Sequence, residues 1–240
     1  MRGTGKRAPA GPAGALPLLM AVLTLNVGLI EAVSFLALGP VFTGMQTGNV
    51  LFLAFGTVGA GGLSVVAPAT SVAAFVVGAV TAARLEGWLE QRGHRWFIAG
   101  MLVEAALLAV AACVARGLEP VHSAPTGRHL ATIAVLSGAM GLRNVTAMRV
   151  SVPDMPTTLV TRAMTAFLGG SLLGHDAAFG HGPGATARRS ASVLTMFAGG
   201  LAGAAWLHGG RPPAALLLCS AGVVLLVATA SVRLPRLHSH

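Results

Sequence analysis

Ala15-Leu-Pro-Leu-Leu-Met-Ala-Val-Leu-Thr-Leu-Asn-Val-Gly-Leu-Ile-Glu-Ala-Val-Ser-Phe-Leu-Ala-Leu38 carries one ionisable side chain, Glu31, in 24 residues. As a helix it is about 36 Å long, enough to cross a hydrocarbon layer of about 30 Å. Arg2, Lys6 and Arg7 precede it, which gives the start of the chain the look of a signal peptide. The apolar run outlasts such a segment and no small-residue cleavage site ends it, so it reads as a retained first span.

Working outward, five more runs are long enough to cross: Ser64 to Leu85, Trp96 to Ala115, His129 to Val150, Ser190 to Gly209 and Pro213 to Val232. The 240 residues are 54% hydrophobic and 10% charged, with a mean hydropathy of +0.76. Soluble domains carry about a quarter charged residues, so this is an integral membrane protein in contact with the lipid bilayer. Sixteen Lys/Arg face seven carboxylates, but the basic residues flank apolar runs, as positive-inside loops do. Nucleic acid is therefore rejected as a partner. Cys113 and Cys219 lie in apolar runs without ligand spacing and read as packing residues.

Two stretches, Gly39 to Gly62 and Pro153 to Leu173, are moderately apolar and open with proline, glycine and threonine. They read as full spans or as re-entrant segments. Thr43, Thr47 and Gly56 stand 114 residues before Thr157, Thr161 and Gly170, and Phe75, Gly78 and Ala82 stand 122 before Phe197, Gly200 and Ala204. An internal duplication follows. The expected fold is an all-α polytopic transmembrane helical bundle of about six spans plus two re-entrant or short helical segments. Its parts are a cytoplasmic basic tail (1–14), a first repeat (15–116), a linker (117–128), a second repeat (129–232) and a second basic tail (233–240).

With six spans, Arg2, Lys6, Arg7, Arg84, Arg92, Arg95, Arg188, Arg189, Arg233 and Arg236 fall inside, against Arg116, Arg128 and Arg211 outside. With eight spans the division is almost as good. Both put the termini in the cytoplasm; six spans make the repeats inverted, eight make them parallel.

Ionisable groups at a bilayer centre cost at least about 2.5–3.5 kcal/mol on insertion scales and usually face a partner or a cavity. Glu31 is the leading candidate for a solute or ion site; the 114-residue offset sends it next to Asn144 and Arg143, themselves candidates for contact with a substrate or counter-ion, so a Glu31–Arg143 pair is expected, functional or structural. Thr47, Gly48 and Asn49 offer hydroxyl, close backbone approach and amide at a helix start. Thr157, Thr158 and Thr161 are their counterparts. Two such starts facing each other would make a midplane polar site between repeats. Asn26, Glu104 and Arg162 are secondary candidates. Trp88, Trp96 and Trp206 read as interface anchors, and His238 and His240 as part of a disordered tail. Gly199-x-x-x-Gly203 and Gly78-x-x-x-Ala82 suit close helix packing, internally first, with contact in a homo-oligomer as the alternative.

No HExxH, P-loop or GxSxG element is present, so no enzyme is expected, and no metal or cofactor is implied.

Gly28-Leu-Ile-Glu-Ala-Val-Ser-Phe-Leu-Ala-Leu-Gly39, Val41-Phe-Thr-Gly-Met-Gln-Thr-Gly-Asn49, Gly141-Leu-Arg-Asn144 and Met155-Pro-Thr-Thr-Leu-Val-Thr161 make the chain resemble the YoaK family of bacterial inner-membrane proteins, a domain of unknown function (1275). The resemblance implies a six-span inner-membrane protein and supplies no substrate. The family usually has aspartate at Glu31, glutamine at Arg143 and glycine at Arg162. The leading expectation is a transporter of a small solute or ion; a non-transporting helper or assembly protein with structural polar residues is the rival.

Overall fold

The apolar runs become helices because a backbone in lipid must satisfy its own N–H and C=O groups. The computed structural model describes residues 12–121, 124–150, 160–170 and 184–233. Among them are α1 (Pro12–Ala37), α2 (Gln46–Thr57), α3 (Val66–Gln91), α4 (Trp96–Val114), α5 (Gly127–Val150), α6 (Val160–Gly169), α7 (Ala185–His208) and α8 (Pro213–Ser231). A 3₁₀ turn, Ala60–Gly62, links α2 to α3. Among the described residues six helices are long and apolar enough to cross a membrane: α1, α3, α4, α5, α7 and α8. α3 runs six residues beyond its expected end. Its terminal carboxylates Glu86 and Glu90 are held by Thr146 and Arg149 of α5, so charge does not stop the helix.

α2, with 12 residues, is about 18 Å long and too short to cross, and the described part of the second stretch holds the 10-residue α6. The eight-span reading is thereby set aside. The depth of α2 follows from its contacts. The backbone of Thr43 and Gly44, just before it, reaches the Glu31 carboxylate, about 9 Å below the end of α1 by helix rise. Its first turn meets Ser71, inside α3, and its last turn, at Gly56, packs on Leu63 and Val65 at the start of α3. The chain therefore leaves α1, dips back and returns to the same side as a half-helix.

The helix directions make the two halves inverted. α3 runs parallel to α5, because Ser71 meets Ser137, Glu86 meets Thr146 and Glu90 meets Arg149. α1 runs parallel to α7, with Gly28 against Met196 and Gly200, and Gly203 against Leu29 and Ala32. α1 opposes α5: the Leu23 carbonyl accepts from Arg143, and the Ala37 carbonyl from Val121 just ahead of α5. α4 opposes α8, whose Val232 carbonyl receives Arg95. So α1, α3 and α4 run up, down and up, and α5, α7 and α8 run down, up and down.

The packing is reciprocal. α1 packs on α7 as α5 packs on α3; α2 lies on α3 as α6 lies on α7; α4 and α8 meet each other, and α4·α5 mirrors α8·α1. A methyl group on Gly28 would strike Met196 O (2.5 Å) and Gly200 N (2.7 Å), and one on Gly141 would strike Phe75 O and Ala79 N. Likewise Gly199 lies on Leu25 O and Gly78 on Gly138 O. These pairs match α1 to α5 by 113 residues (141 − 28, 138 − 25) and α3 to α7 by 121 (196 − 75, 199 − 78). The expected offsets of 114 and 122 are thus one too large for the long helices. Phe197 faces outward like Val76, not like the half-buried Phe75. For the half-helices 114 holds, since the buried residue is Asn49 in α2 and Ala163 in α6.

Two further expectations change. Trp96 is buried, 1% exposed, set edge-on to Phe97 with the Arg149 guanidinium 5.0 Å from its ring centre, so it belongs to the core rather than the interface. Trp88 is exposed with Arg92 over its ring, and Trp206 donates to the Pro212 carbonyl at the end of α7. Cys113 and Cys219 face outward instead of packing inside. His238 and His240 lie outside the described residues.

Candidate functional site

The turn into α2 is built around two side chains. Glu31 accepts the N–H of Thr43 at 3.0 Å and of Gly44 at 2.5 Å, with the Thr43 hydroxyl at 3.4 Å. A carboxylate there suits unpaired N–H groups at the positive end of a short helix, and it occupies the place an anionic ligand would take. Asn49 faces back onto the same turn: its Oδ1 accepts from Phe42 N at 2.9 Å, and its Nδ2 donates to Phe42 O at 2.5 Å and Gln46 Oε1 at 2.8 Å. Ser71 Oγ lies 2.9 Å from Nδ2, 2.7 Å from Phe42 O and 2.8 Å from Ser137 Oγ. Ser34 donates to Val41 O at 2.7 Å. Glu31, Thr43, Asn49, Ser71 and Ser137 are all buried. A turn with irregular backbone at membrane depth thus finds its partners inside the protein.

Gly44 sits against Glu31 and Met140, and Gly48 against the Phe42 ring, where an added carbon would lie 2.9 Å away. That close approach is the use the sequence suggests for Gly48. Phe42 continues the packing by stacking on Phe35 and Phe52. Thr47 points outward and does not join the cluster.

Arg143 does not pair with Glu31. Its Nε and Nη2 hold Glu104 at 2.6 and 2.5 Å, both residues buried, and Nη1 lies 3.5 Å from Leu23 O. Leu23 is eight residues before Glu31 on α1, about 12 Å of rise, so Arg143 and Glu31 stand at different depths. The one-residue correction sends Glu31 to Asn144, which is half-buried. Glu104 and Arg143 form a closed two-pronged pair, the geometry that lets opposite charges survive burial.

A third cluster joins α3, α4 and α5 near the basic end. Glu86 receives the Thr146 hydroxyl, lies 3.5 Å from Arg149, and rests on Gly100, where an added carbon would be 2.7 Å from its Oε1. Arg149 also pairs with Glu90. Asn26 lies elsewhere, its Nδ2 3.5 Å from the Ser220 carbonyl. Thr161 and Arg162 are exposed on α6, where the Thr161 carbonyl accepts from the Thr165 hydroxyl. Thr157 and Thr158 lie outside the described residues. Of the expected site residues, then, Glu31, Gly48 and Asn49 come together, Glu104 and Arg143 form a second group, and Thr47, Asn26, Thr161 and Arg162 stand apart from both. Among the described residues no group of three metal-ligating side chains occurs.

Residues 19–230 match the family described as "Protein of unknown function (DUF1275)". The chain belongs to that family. The UPF0700 transmembrane protein YoaK of Bacillus subtilis (strain 168) is 26% identical over 155 residues. That similarity spans 62% of this chain and 64% of the relative, just under two thirds of its length. No solved structure matches.

In this DUF1275 chain the residues missed by sequence reasoning are Ser71, Ser137, Ser34 and Thr146. Their one signal is a lone hydroxyl in an apolar helix, which also occurs where it merely bonds its own helix carbonyl. Glu86 and Arg149 could be seen as charges near span ends, and what made them easy to pass over is that such positions usually reach water.

Proposed function

We propose that this protein is a transporter of a small solute or ion, in which two inverted units rock about the core formed by α1, α4, α5 and α8. The observation that carries this reading is the half-helix α2, whose start lies at membrane depth within one of two oppositely oriented three-span units. Inverted units with broken or half-length helices are the architecture of alternating access. The Lys/Arg bias supports a plasma-membrane protein with the end bearing Arg92, Arg95, Arg188 and Arg233 in the cytoplasm. No enzymatic step is proposed. Glu31 acts as the latch of the first turn: releasing Thr43 and Gly44 would free the α2 start to meet a polar substrate.

The test uses protein in sealed proteoliposomes, with Cys113 and Cys219 replaced and a single cysteine at Thr43. A membrane-impermeant thiol reagent is applied to each side in turn. Alternating access predicts labelling from both sides, and Glu31→Gln, which removes one acceptor oxygen, is expected to change the ratio of the two rates. Labelling from one side only, unchanged by Glu31→Gln, would overturn the transport reading.

A second reading, a non-transporting helper or assembly protein, is favoured by the saturation of Glu31, Asn49 and the Glu104–Arg143 pair by their own neighbours. It predicts that substitutions there lower yield and thermal stability with no change in sidedness.

A further inference from the structure

At the centre of the core, away from the half-helix, two buried polar atoms have no protein partner. They are Asn26 Oδ1 of α1 and Ser220 Oγ of α8, on residues 0% exposed. Asn26 is the twelfth of 23 residues in its span and Ser220 the eighth of 19, so both lie near mid-membrane. Their residues are neighbours, since Asn26 Nδ2 lies 3.5 Å from Ser220 O. That contact uses one of the amide's two N–H donors, while its acceptor oxygen is buried without a partner. Among the buried helical hydroxyls, Thr24, Thr132, Thr146 and Ser231 donate to the carbonyl four residues back and Ser34, Ser71 and Ser137 bond across to other segments; Ser220, like Ser192, does neither.

An unpartnered amide oxygen and an unpartnered hydroxyl on two neighbouring residues of an apolar core are a large penalty unless something fills them. The surroundings say what fits. Leu23 and Ile30 on α1 and Leu217 and Val224 on α8, each about one turn away, are fully buried hydrophobics, so no bulky or charged guest is catered for. Arg143, which reaches the Leu23 carbonyl three residues before Asn26, is neutralised by Glu104, so it calls for no counter-ion.

We infer that the α1–α8 interface holds an internal site for one neutral, water-sized hydrogen-bonding guest, a water molecule being the occupant. The guest donates to Asn26 Oδ1 and exchanges a hydrogen bond with Ser220 Oγ. Buried waters are typically held by two to four such partners. The site is independent of the transport reading; it stands or falls on the stability of the folded chain, not on flux or sidedness.

The test is thermal unfolding of the full-length protein in detergent for Ser220→Ala, Asn26→Leu and the double variant. If a water fills the site, Ser220→Ala removes one of its partners and lowers the midpoint by about 2–4 °C. Asn26→Leu, close in volume, lowers it further, and the double variant loses less than the two singles added, because both act on one guest. If the two atoms are unfilled, deleting an unsatisfied hydroxyl relieves a penalty. A midpoint unchanged or raised by Ser220→Ala, or a double variant more stable than the wild type, would overturn the site. Should Asn26→Leu fail to fold, Ser220→Ala alone still decides the sign.

Discussion

In the first unit the buried residue of the half-helix is Asn49, and it bonds Phe42, Gln46 and Ser71. In the second unit, 114 residues on, the buried residue of the half-helix is Ala163. Ser71 corresponds, 121 residues on, to Ser192, which is equally buried and whose hydroxyl has no partner. Glu31 corresponds to Asn144, an amide in place of a carboxylate. The two halves share a backbone plan, but the counterpart of Asn49 is an alanine. What the difference teaches is that one plan is fastened by two means: α2 is held at its start by its own Asn49, and α6 is held from α7, where buried Arg189 donates to the Ala166 carbonyl at 2.9 Å.

The comparison can be broken first at its symmetric part. Gly28→Ala and Gly141→Ala each push a methyl into a facing backbone, and each should destabilise by about 3 kcal/mol. Equal losses in thermal unfolding would confirm that α1·α7 and α3·α5 are equivalent interfaces; a loss in one alone would deny the duplication at this level. Next comes the fastening. Asn49→Ala strands the Phe42 N–H, leaves the Phe42 carbonyl to Ser71 alone and should cost about 2 kcal/mol, read as a lower unfolding midpoint and faster hydrogen exchange confined to the turn before α2.

The serines sharpen the contrast further. Ser71→Ala should cost about 1 kcal/mol, while Ser192→Ala should be neutral or slightly stabilising, because it removes an unsatisfied hydroxyl. Similar losses at both positions would mean that Ser192 is held after all. The smallest effect expected is a gain. Ala163→Asn restores to α6 the amide that α2 has, within reach of Ser192 by the matched geometry, and should raise stability by about 0.5–1 kcal/mol. A loss on unfolding would show that the space at Ala163 is already filled.

Much of the architecture was legible in the chain. Span lengths, the two polar-opening stretches and the duplication all follow from hydropathy and from recurring glycines, because lipid imposes those patterns directly. The half-length of α2 was not settled, since Gly39 to Gly62 is long enough to span until a helix start is placed at Gln46. Partner choice was less legible still. Glu31 and Arg143 look paired when the halves are aligned by hand, but the alignment was one residue out, and one residue turns a helix by about 100°. That rotation sends Arg143 toward Glu104 and Leu23 and leaves Glu31 facing the Thr43 turn. A carboxylate whose partners are backbone N–H groups leaves no mark in a pattern of side chains. Ser71 and Ser137 were silent for a similar reason: nothing in an isolated serine tells whether it bonds across an interface or up its own helix.

The parallel contact between α1 and α7 also has a consequence for how the protein is made. Ala37 ends α1 and His208 ends α7, 171 residues later, and synthesis at 5–20 residues per second separates them by roughly 10 to 30 s. Through that interval α1 sits in the membrane with its glycine face uncovered and Asn26 awaiting α8. The halves are threaded through one another, so the first half released alone would lack the neighbour that closes its own first helix. Two separately expressed halves should therefore assemble only when they are inserted together.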